Sequence, residues 1–391
     1  MSAPLLHGCV LGAGPTGALA ALALADAGWH VSLRDPLPAE QLVERSRAYA
    51  FTHSSRELLQ RLGLWDDLAA VLVPFRQLQL RDFGSGEGCQ FETEDLGLPR
   101  ATANAVGWIA QHRPLMEALL VRLEAHPAVR LQLGPDPAGE SRVGPEPAAD
   151  LVVAADGPAS PSRTALAIGQ WQLAYRQSCL TAQVQLRGGK DDEAWELLRP
   201  EGPFAVLPLG DGRVQVVWSA PASRCRQLER LPATAFLDHL AAVLPDRLQP
   251  DVLLDHPRSF PVALQLARRL HRGRTLLVGE SAHRCHPVGG QGLNLCWRDV
   301  AVLHGLAGRV ARGQLAPDRI GAAYSWRRWP DLLLTLLVTD LLVRLFSNRH
   351  PLVVPLRRLA LAALARWAPL RRLLLTAMTF GPCRGRTASP Q

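Results

Sequence analysis

Lysine is all but missing from this chain, with Lys190 the only one among 43 basic residues. Arginine therefore carries the formal charge of +8, a skew that reflects coding bias as much as function. Aromatics make up 6% of residues and no basic stretch is interleaved with them, which argues against nucleic acid as a partner. The cysteines (Cys9, Cys89, Cys179, Cys225, Cys285, Cys296 and Cys383) contain no CxxC pair. Their odd number fits free buried thiols in a reducing cytoplasm. His283, Cys285 and His286 lie close in sequence but lack a second ligand pair at zinc spacing, so no metal site is expected. No basic segment precedes the first apolar run, so a secretory signal is not expected. Nor does any uncharged apolar stretch reach the roughly 18 to 20 residues of a membrane span. What is there is an ordered globular chain of 391 residues, 48% hydrophobic and 20% charged, long enough for two or three lobes.

Three glycine-bearing turns organise the reading. The first follows a short apolar strand, Cys9-Val10-Leu11, with Gly12-Ala13-Gly14-Pro15-Thr16-Gly17 and then an alanine-rich helix to Ala27. Gly28 stops that helix, His30 to Leu33 forms a second strand, and Asp35 ends it. Strand, GxGxxG, helix, strand and acid in this order form the dinucleotide fingerprint. Gly12 makes the tight turn, Gly14 admits a pyrophosphate, Gly17 lets helix and strand pack closely, and Asp35 is placed for ribose hydroxyls. The motif leaves FAD and NAD open.

The second turn ends the apolar run Leu151 to Ala155 in Asp156-Gly157, with Ser160 and Arg163 just beyond. Asp156 can pin the loop through backbone N–H groups, and Arg163 can pair with it or with a phosphate. By itself this is an ordinary Asp-Gly turn. The third follows a buried strand, Thr275 to Val278, and holds Gly279, Gly289, Gly290 and Gly292 before a helix from Leu293. Glycines there let the backbone approach something flat, and the helix start offers unpaired N–H groups to an anion or electron-rich ring.

Between these turns, residues 42–68 read as one helix with a Leu58, Leu59, Leu62, Leu64 face, preceded by Arg45 and Arg47. Residues 76–92 alternate around Gly84-Ser85-Gly86 as a hairpin, and a helix over 113–125 leads to a strand at Val129 to Leu133. Residues 134–149, rich in Pro and Gly, form an exposed connection. Cys179 to Leu186, Phe204 to Leu209 and Val214 to Trp218 read as strands, the last two joined by Asp211-Gly212, so a second lobe with an antiparallel sheet is expected. Leu228 to Leu244 reads as an amphipathic helix, and Arg258 to Leu264 as a strand returning to the first lobe. From Asp331 to Arg384 the chain is leucine-rich, and Arg344, Arg349, Arg357, Arg358, Arg366, Arg371 and Arg372 face only Asp331 and Asp340. Such helices suit an anionic membrane surface, or packing against the lobes or a partner subunit.

Taken together, GxGxxG, DGxxSxxR and G(E)SAHxxHPxxGQGLN resemble the class A flavoprotein aromatic hydroxylases. Within that group the chain is similar to ubiquinone-biosynthesis hydroxylases of the UbiH type. Residues 202–219, 260–267 and the tail at 338–361 share in the resemblance, which covers essentially the whole sequence. It implies an α/β fold: an FAD-binding Rossmann-like domain of the para-hydroxybenzoate-hydroxylase type (1–75, 100–170 and 265–330), a β-sheet substrate domain (76–99 and 171–264) and C-terminal apolar and basic helices (331–391). The connection at 134–149 is shorter than in many relatives.

By that resemblance Gly12, Gly14, Gly17 and Asp35 bind the adenosine half of FAD. Arg47 and Arg113 match positions that contact the flavin or its pyrophosphate. Asp156, Gly157 and Arg163 serve FAD and the nicotinamide cofactor. Gly279 and Glu280 meet the ribityl chain and phosphate, although Glu280 has one methylene more than the Asp usual there. Pro287 borders the isoalloxazine, and the backbones of Gly290, Gly292, Leu293 and Asn294 face its pyrimidine edge. The implied reaction uses NAD(P)H to reduce FAD and places one atom of O2 on the ring of a polyprenylated phenol or quinol, in ubiquinone or plastoquinone biosynthesis. No residue is singled out as catalytic. A halogenase or alkene epoxidase is the rival within the fold, though the WxWxIP box and halogen-carrying lysine of halogenases are missing. A non-catalytic FAD-bound subunit of a quinone-biosynthesis complex, without turnover, is the rival of another class. The implied location is cytoplasmic and peripheral to the membrane.

Overall fold

The computed structural model of the protein describes residues 5–99, 104–135, 149–348 and 350–383. Arg349, and nearly all of the Pro/Gly-rich connection expected at 134–149, lie outside the described residues. The first lobe is built on a six-stranded sheet in the order His271–Arg272, Thr275–Leu277, Leu151–Ala154, His7–Leu11, His30–Asp35, Val129–Leu133. The four junctions from Thr275–Leu277 to Val129–Leu133 are parallel, and only His271–Arg272 pairs antiparallel. A parallel sheet is covered on both faces, which is why these strands read as unbroken apolar runs rather than alternating ones. The Pro15–Asp26 helix is buried from Gly17 to Ala25 without a polar stripe. It is packed between the sheet and the helices His112–Ala125 and Gln291–Ala311.

The second lobe is a nine-stranded sheet centred on the 18-residue strand Gln170–Arg187. That strand pairs antiparallel with Arg213–Pro221, Arg258–Ala267 and Gln249–Leu253. Phe204–Gly210 and Arg213–Pro221 are joined through Asp211 (φ 55°) and Gly212 (φ 69°), the left-handed pair that suits the twist of a tight hairpin. The expected antiparallel sheet contains one parallel junction, where the hairpin Gln77–Asp82/Gly88–Glu92 docks onto Glu193–Leu198. The contribution of 76–99 thus joins the second lobe as an added pair of strands.

Two expected helices are broken. Residues 42–68 hold the short helix Ala39–Val43, the strand Ala48–Phe51 and the helices His53–Arg61 and Trp65–Ala69. Ala48–Phe51 pairs with Gly107–Gln111 in a small third sheet, and Phe51 packs on Trp297 with ring centroids 4.6 Å apart. Partners more than fifty residues away therefore outweigh the leucine spacing, which holds only for Leu58 and Leu59. The helix expected over 228–244 divides into Ala222–Glu229 and Ala233–Ala241, because Pro232 has no N–H to continue the first.

The chain ends in the helices Ile320–Phe346, Val353–Arg366 and Ala368–Phe380. Not all the tail arginines face outward. Arg357 is fully buried and donates to the carbonyls of Leu345 (2.6 Å) and Asn348 (2.7 Å). Arg371 pairs with Asp95, and Arg344 with Asp340. Arg358, Arg366 and Arg372 remain exposed. Asp331 is not a counter-charge on the surface at all.

Asp331 belongs to a buried network. Arg328 donates to Asp299 (2.5 Å) and to Asp331, and Arg298 donates to Asp331 (2.9 Å) and to the Thr335 hydroxyl (3.1 Å). Asp299 also accepts from the Gly279 N–H and is bonded to His283 Nε2, both at 2.7 Å. Two guanidinium groups and two carboxylates thus offset one another out of contact with water, at the junction of the third turn with two helices. Burial pushes the Asp299 carboxyl up, but His283 and Arg328 outweigh it and hold it at about 2.

Removing one partner would leave a buried charge exposed to nothing that compensates it. Arg328→Met is expected to cost roughly 3–5 kcal/mol, read from the denaturant midpoint. Since the Asp299 carboxyl is depressed on folding, its contribution is complete above the unfolded carboxyl range near ~3.9 and disappears as pH falls through about 2. In the variant, acid unfolding should begin at higher pH, and an unshifted acid transition would show that the network contributes nothing.

Candidate active site

One cavity of about 830 Å³ runs between the lobes, within the range of roughly 300–1,000 Å³ typical of ligand pockets. Its first end is the GxGxxG turn. Gly12 takes φ 96°, and a Cβ there would meet the Ala155 carbonyl oxygen at 2.5 Å. A Cβ on Gly17 would sit 1.8 Å from the Gly12 carbonyl oxygen, so helix and turn can approach only with glycine there. Gly14 is different, since a Cβ would meet no atom within 4 Å and would project into the cavity. Gly292, at the other glycine turn, has the same open surroundings.

Asp35 closes this end. Its Oδ2 accepts from the Ala13 N–H (2.7 Å) and its Oδ1 from Leu37 N–H (2.9 Å). Each oxygen keeps a lone pair for a ribose hydroxyl, so the acid both ties the turn to the second strand and faces the cavity. Beside it, Asp156 Oδ2 accepts from Ser162 N–H at 2.9 Å, and Asp156 and Gly157 line the cavity. Arg163 does not reach it. Its guanidinium donates to the carbonyls of Ser281 (2.7 Å) and Pro158 (2.9 Å), stitching the second turn to the third.

The helix after the third turn starts earlier than its sequence suggests, running Gln291–Ala311 rather than from Leu293. Gly289 (φ 67°) and Gly290 (φ 63°) are both left-handed, which swings the backbone of Gly290 to Leu293 along the cavity wall. Glu280 and Pro287 also line it, whereas Gly279 lies behind, with a would-be Cβ 2.8 Å from Thr16. Asn294 turns away as well: its amide donates to the Ala50 (2.7 Å) and Gly290 (2.8 Å) carbonyls and its oxygen accepts from Ser55 (2.6 Å). It clamps the turn from outside the cavity. His283, Cys285 and His286 do not converge, since His283 is taken by Asp299 and His286 Nδ1 accepts from Val288 N–H at 3.2 Å.

Of the two arginines, Arg47 lines the cavity, its guanidinium 4.7 Å from the centre of the Phe260 ring. Arg113 does not. It sits on the outer face of its helix, 57% exposed, paired with Glu117. The neighbouring His112 is the buried one, bonded to the Leu42 carbonyl (2.8 Å) and the Tyr49 hydroxyl (2.9 Å). Burial pushes the His112 imidazole down and the Tyr49 phenol up, so both are held neutral where they support the cavity wall. The residues singled out in the sequence thus divide: Gly12, Gly14, Asp35, Arg47, Asp156, Gly157, Glu280, Pro287, Gly290, Gly292 and Leu293 meet around one space, while Gly17, Arg113, Arg163, Gly279 and Asn294 stand behind or outside it.

Beyond the third turn the cavity becomes a greasy bowl. The nine-stranded sheet contributes Leu78, Leu80, Phe91, Val217 and Val262, with Thr181 and Glu196 as polar exceptions, and Phe75 of the small third sheet adds to them. The helices close it with Leu334, Val338 and Leu342 on one side and Leu374 and Met378 on the other. Only their apolar spacing marked these residues in the sequence, and that spacing is the same for residues packed in the core.

A nucleotide-shaped cradle opening into an apolar bowl beneath a β-sheet defines a two-lobed dinucleotide-binding protein, and comparison with known proteins makes this specific. The FAD binding domain family profile matches residues 6–132 and 138–330. The ubiquinone hydroxylase UbiL of Rhodospirillum rubrum is 34% identical, over 94% of this chain and 87% of its own. The 3-demethoxyubiquinol 3-hydroxylase of Escherichia coli is 31% identical, over 94% and 96%. The p-nitrophenol 4-monooxygenase PnpA of Pseudomonas putida shares the fold with a TM-score of 0.77 at 17% identity, over 99% of both chains. The chain belongs to the FAD binding domain family.

The residues present fit FAD: open space at Gly14 and Gly292 would admit a ligand close to the backbone, and Arg34, Arg45, Arg47 and the starts of the Pro15–Asp26 and Gln291–Ala311 helices line the same cavity, as an anionic pyrophosphate would need. Gly14→Ala should therefore leave melting of the apoprotein unchanged while weakening FAD about 5- to 150-fold, for an overpacking cost of ~1–3 kcal/mol. Gly17→Ala should lower both. Arg113→Ala should retain FAD like the parent, within about 0.5 kcal/mol. Cofactor titration beside apoprotein melting separates these outcomes, and equal FAD affinity in Gly14→Ala and the parent would contradict the cradle.

Proposed function

We propose that the protein is an FAD-dependent, NAD(P)H- and O2-using hydroxylase of a polyprenylated phenol or quinol in quinone biosynthesis, working at a membrane surface. The observation that carries this reading is the continuity of the cavity. Leu334 and Val338 of the Ile320–Phe346 helix line the bowl and are also 40% and 39% exposed, so the bowl opens through an apolar helix face. A substrate with a polar ring and a long isoprenoid chain suits such a shape, with the ring inside and the chain leaving beside this helix.

FAD, when bound, supplies the electron transfer and oxygen chemistry that amino acids lack. The chain's own residues hold and enclose it. Gly12, Gly14, Asp35 and Arg47 grip the nucleotide length, and the backbone from Gly290 to Leu293 lies at the start of a helix whose positive end favours negative charge on the ring system. Phe75, Phe91 and Val217 exclude water from the ring-binding space.

The outer surface supports a lipid source. Leu337 (62%) and Leu341 (57%) flank the opening, while Leu352 (81%) just before the Val353–Arg366 helix, and Leu359 (69%) and Leu373 (68%) on the later helices, are exposed beside Arg358, Arg366 and Arg372. Among the described residues no helix is long and apolar enough to cross a membrane. Leucines with arginines at their edges instead suit an anionic leaflet, each arginine adding about 1 kcal/mol near such a surface.

Two measurements test this. The FAD-loaded protein should oxidise NADPH faster when a farnesylated phenol is added, and the product should carry one atom from isotopically labelled O2. Oxidation that the phenol does not accelerate, with no labelled product, refutes the hydroxylase. Leu337→Glu with Leu341→Glu should abolish co-flotation with anionic vesicles yet preserve turnover of a short-chain phenol. Undiminished flotation removes the membrane part of the reading.

A further inference from the structure

The sheet lobe presents the bowl with an almost wholly apolar surface, and Glu196 interrupts it. Its strand, Glu193–Leu198, lies between Gln77–Asp82 and Phe204–Gly210, where Glu196 stands opposite Leu80 on one side and Ala205 on the other. All three residues line the cavity. Of the other carboxylates there, Asp35 ends the His30–Asp35 strand and is bonded to the first glycine turn, and Asp156 and Glu280 belong to the second and third turns, so Glu196 is the acid of the substrate side among the described residues. One carboxylate oxygen accepts from the Gly289 N–H at 3.3 Å, which fixes the side chain against the third turn. Among the described residues no donor is bonded to its other oxygen.

Building an ionisable group into an apolar wall is costly, and among the described residues no arginine or lysine is paired with it to offset the cost. We propose that Glu196 is the general base that accepts the hydroxyl proton of the phenolic substrate. This rests on the hydroxylase reading above. The O–H bond of the ring hydroxyl breaks, its proton passes to the free carboxylate oxygen, and the electron pair stays on the ring oxygen. There it raises electron density at the ring carbons ortho and para to it, one of which takes the oxygen atom that O2 supplies at the expense of NAD(P)H. That carbon then releases its own hydrogen as a proton to restore aromaticity, this proton leaves with the second atom of O2 as water, and Glu196 returns its proton to the phenolate oxygen.

The surroundings suit this role. Burial raises the Glu196 carboxyl to about 7, the Gly289 N–H opposing it. A base with this affinity is matched to work near neutral pH. Among the titratable and charged groups on the elements around it, Tyr175 and Cys179 lie on the long strand, Cys285 and His286 before the third turn and Asp340 on the Ile320–Phe346 helix, where Arg344 pairs with it; Arg81 and Asp82 are on the neighbouring strand, and Arg47, Glu280 and Arg284 line the same cavity. Burial raises the Tyr175 phenol, which donates to Asp340, and raises both thiols to about 12. It lowers the His286 imidazole to about 4. Those four groups therefore keep one protonation state through the neutral range in which Glu196 changes.

The experiment compares the FAD-loaded parent with E196Q and E196D, using a farnesylated phenol and a ring-fluorinated, more acidic analogue. The parent kcat should rise with pH through about 7. E196Q keeps the volume and the bond to Gly289 but not the basicity. It should lose the rising limb and about 100-fold in kcat, with KM little changed. The loss should shrink for the acidic phenol, and E196D should recover the limb. Wild-type turnover and pH dependence in E196Q overturn the proposal while leaving the hydroxylase intact. No oxygenated product from the parent removes the hydroxylase and the proposal together. Should E196Q fail to hold FAD, E196D decides: a displaced pH limb supports the role, and pH-independent turnover refutes it.

Discussion

The carboxylate of Asp299 is the constraint on which the rest of the structure depends. It is fully buried, and one oxygen holds both the Gly279 N–H and His283 while the other takes Arg328. Gly279 ends the strand that enters the third glycine turn, so this one group fixes where that turn begins. Arg328 carries the constraint outward to Asp331 and Arg298, and hence to the long helix whose far face opens the cavity. A buried pair of this kind adds little net stability compared with well-packed apolar residues, because desolvation cancels much of the attraction. What it supplies is position. The cradle for the cofactor and the helix bordering the apolar end of the cavity are tied to one another through charges paired in an apolar interior.

Polarity along the cavity follows from which layer supplies each wall. The parallel sheet delivers its turns at the carboxyl ends of the strands, where unpaired backbone N–H groups, aspartates and an arginine gather. The larger sheet turns one pleated face inward, so alternate residues of several strands build a smooth apolar surface. A ligand with a charged nucleotide at one end and a greasy ring at the other is thus accommodated without any single element carrying both characters. The C-terminal helices complete the apolar end and leave part of the same leucine-rich surface facing outward.

Much of the cradle was legible in the chain itself. Local backbone geometry dictated it: a Cβ at Gly12 or Gly17 would collide with atoms a few residues or one strand away, so the glycines declare the turn whatever surrounds it. The Asp211-Gly212 hairpin was legible for the same reason. The strand at Ala48–Phe51 was not, because its conformation is decided by pairing with Gly107–Gln111, and the nearby leucine spacing is equally compatible with a helix. Arg113 and Asn294 show the limit at the site. A motif names the position on the chain but not the direction of the side chain, and a turn of helix places His112 inward and Arg113 in water.

The sequence by itself determined the glycine turns of the nucleotide cradle and the apolar, arginine-rich character of the last helices, since these rest on short-range sterics and composition. Only the tertiary structure decided which charges are buried. Asp331 and Arg357 look like surface charges in a basic tail, yet long-range packing withdraws them from water and pairs them inside. Glu196 likewise sits in an ordinary strand, and only the closing of one lobe on the other places its carboxyl in a confined apolar space. Solvation is a property of the assembled whole, so neither spacing nor composition can specify it.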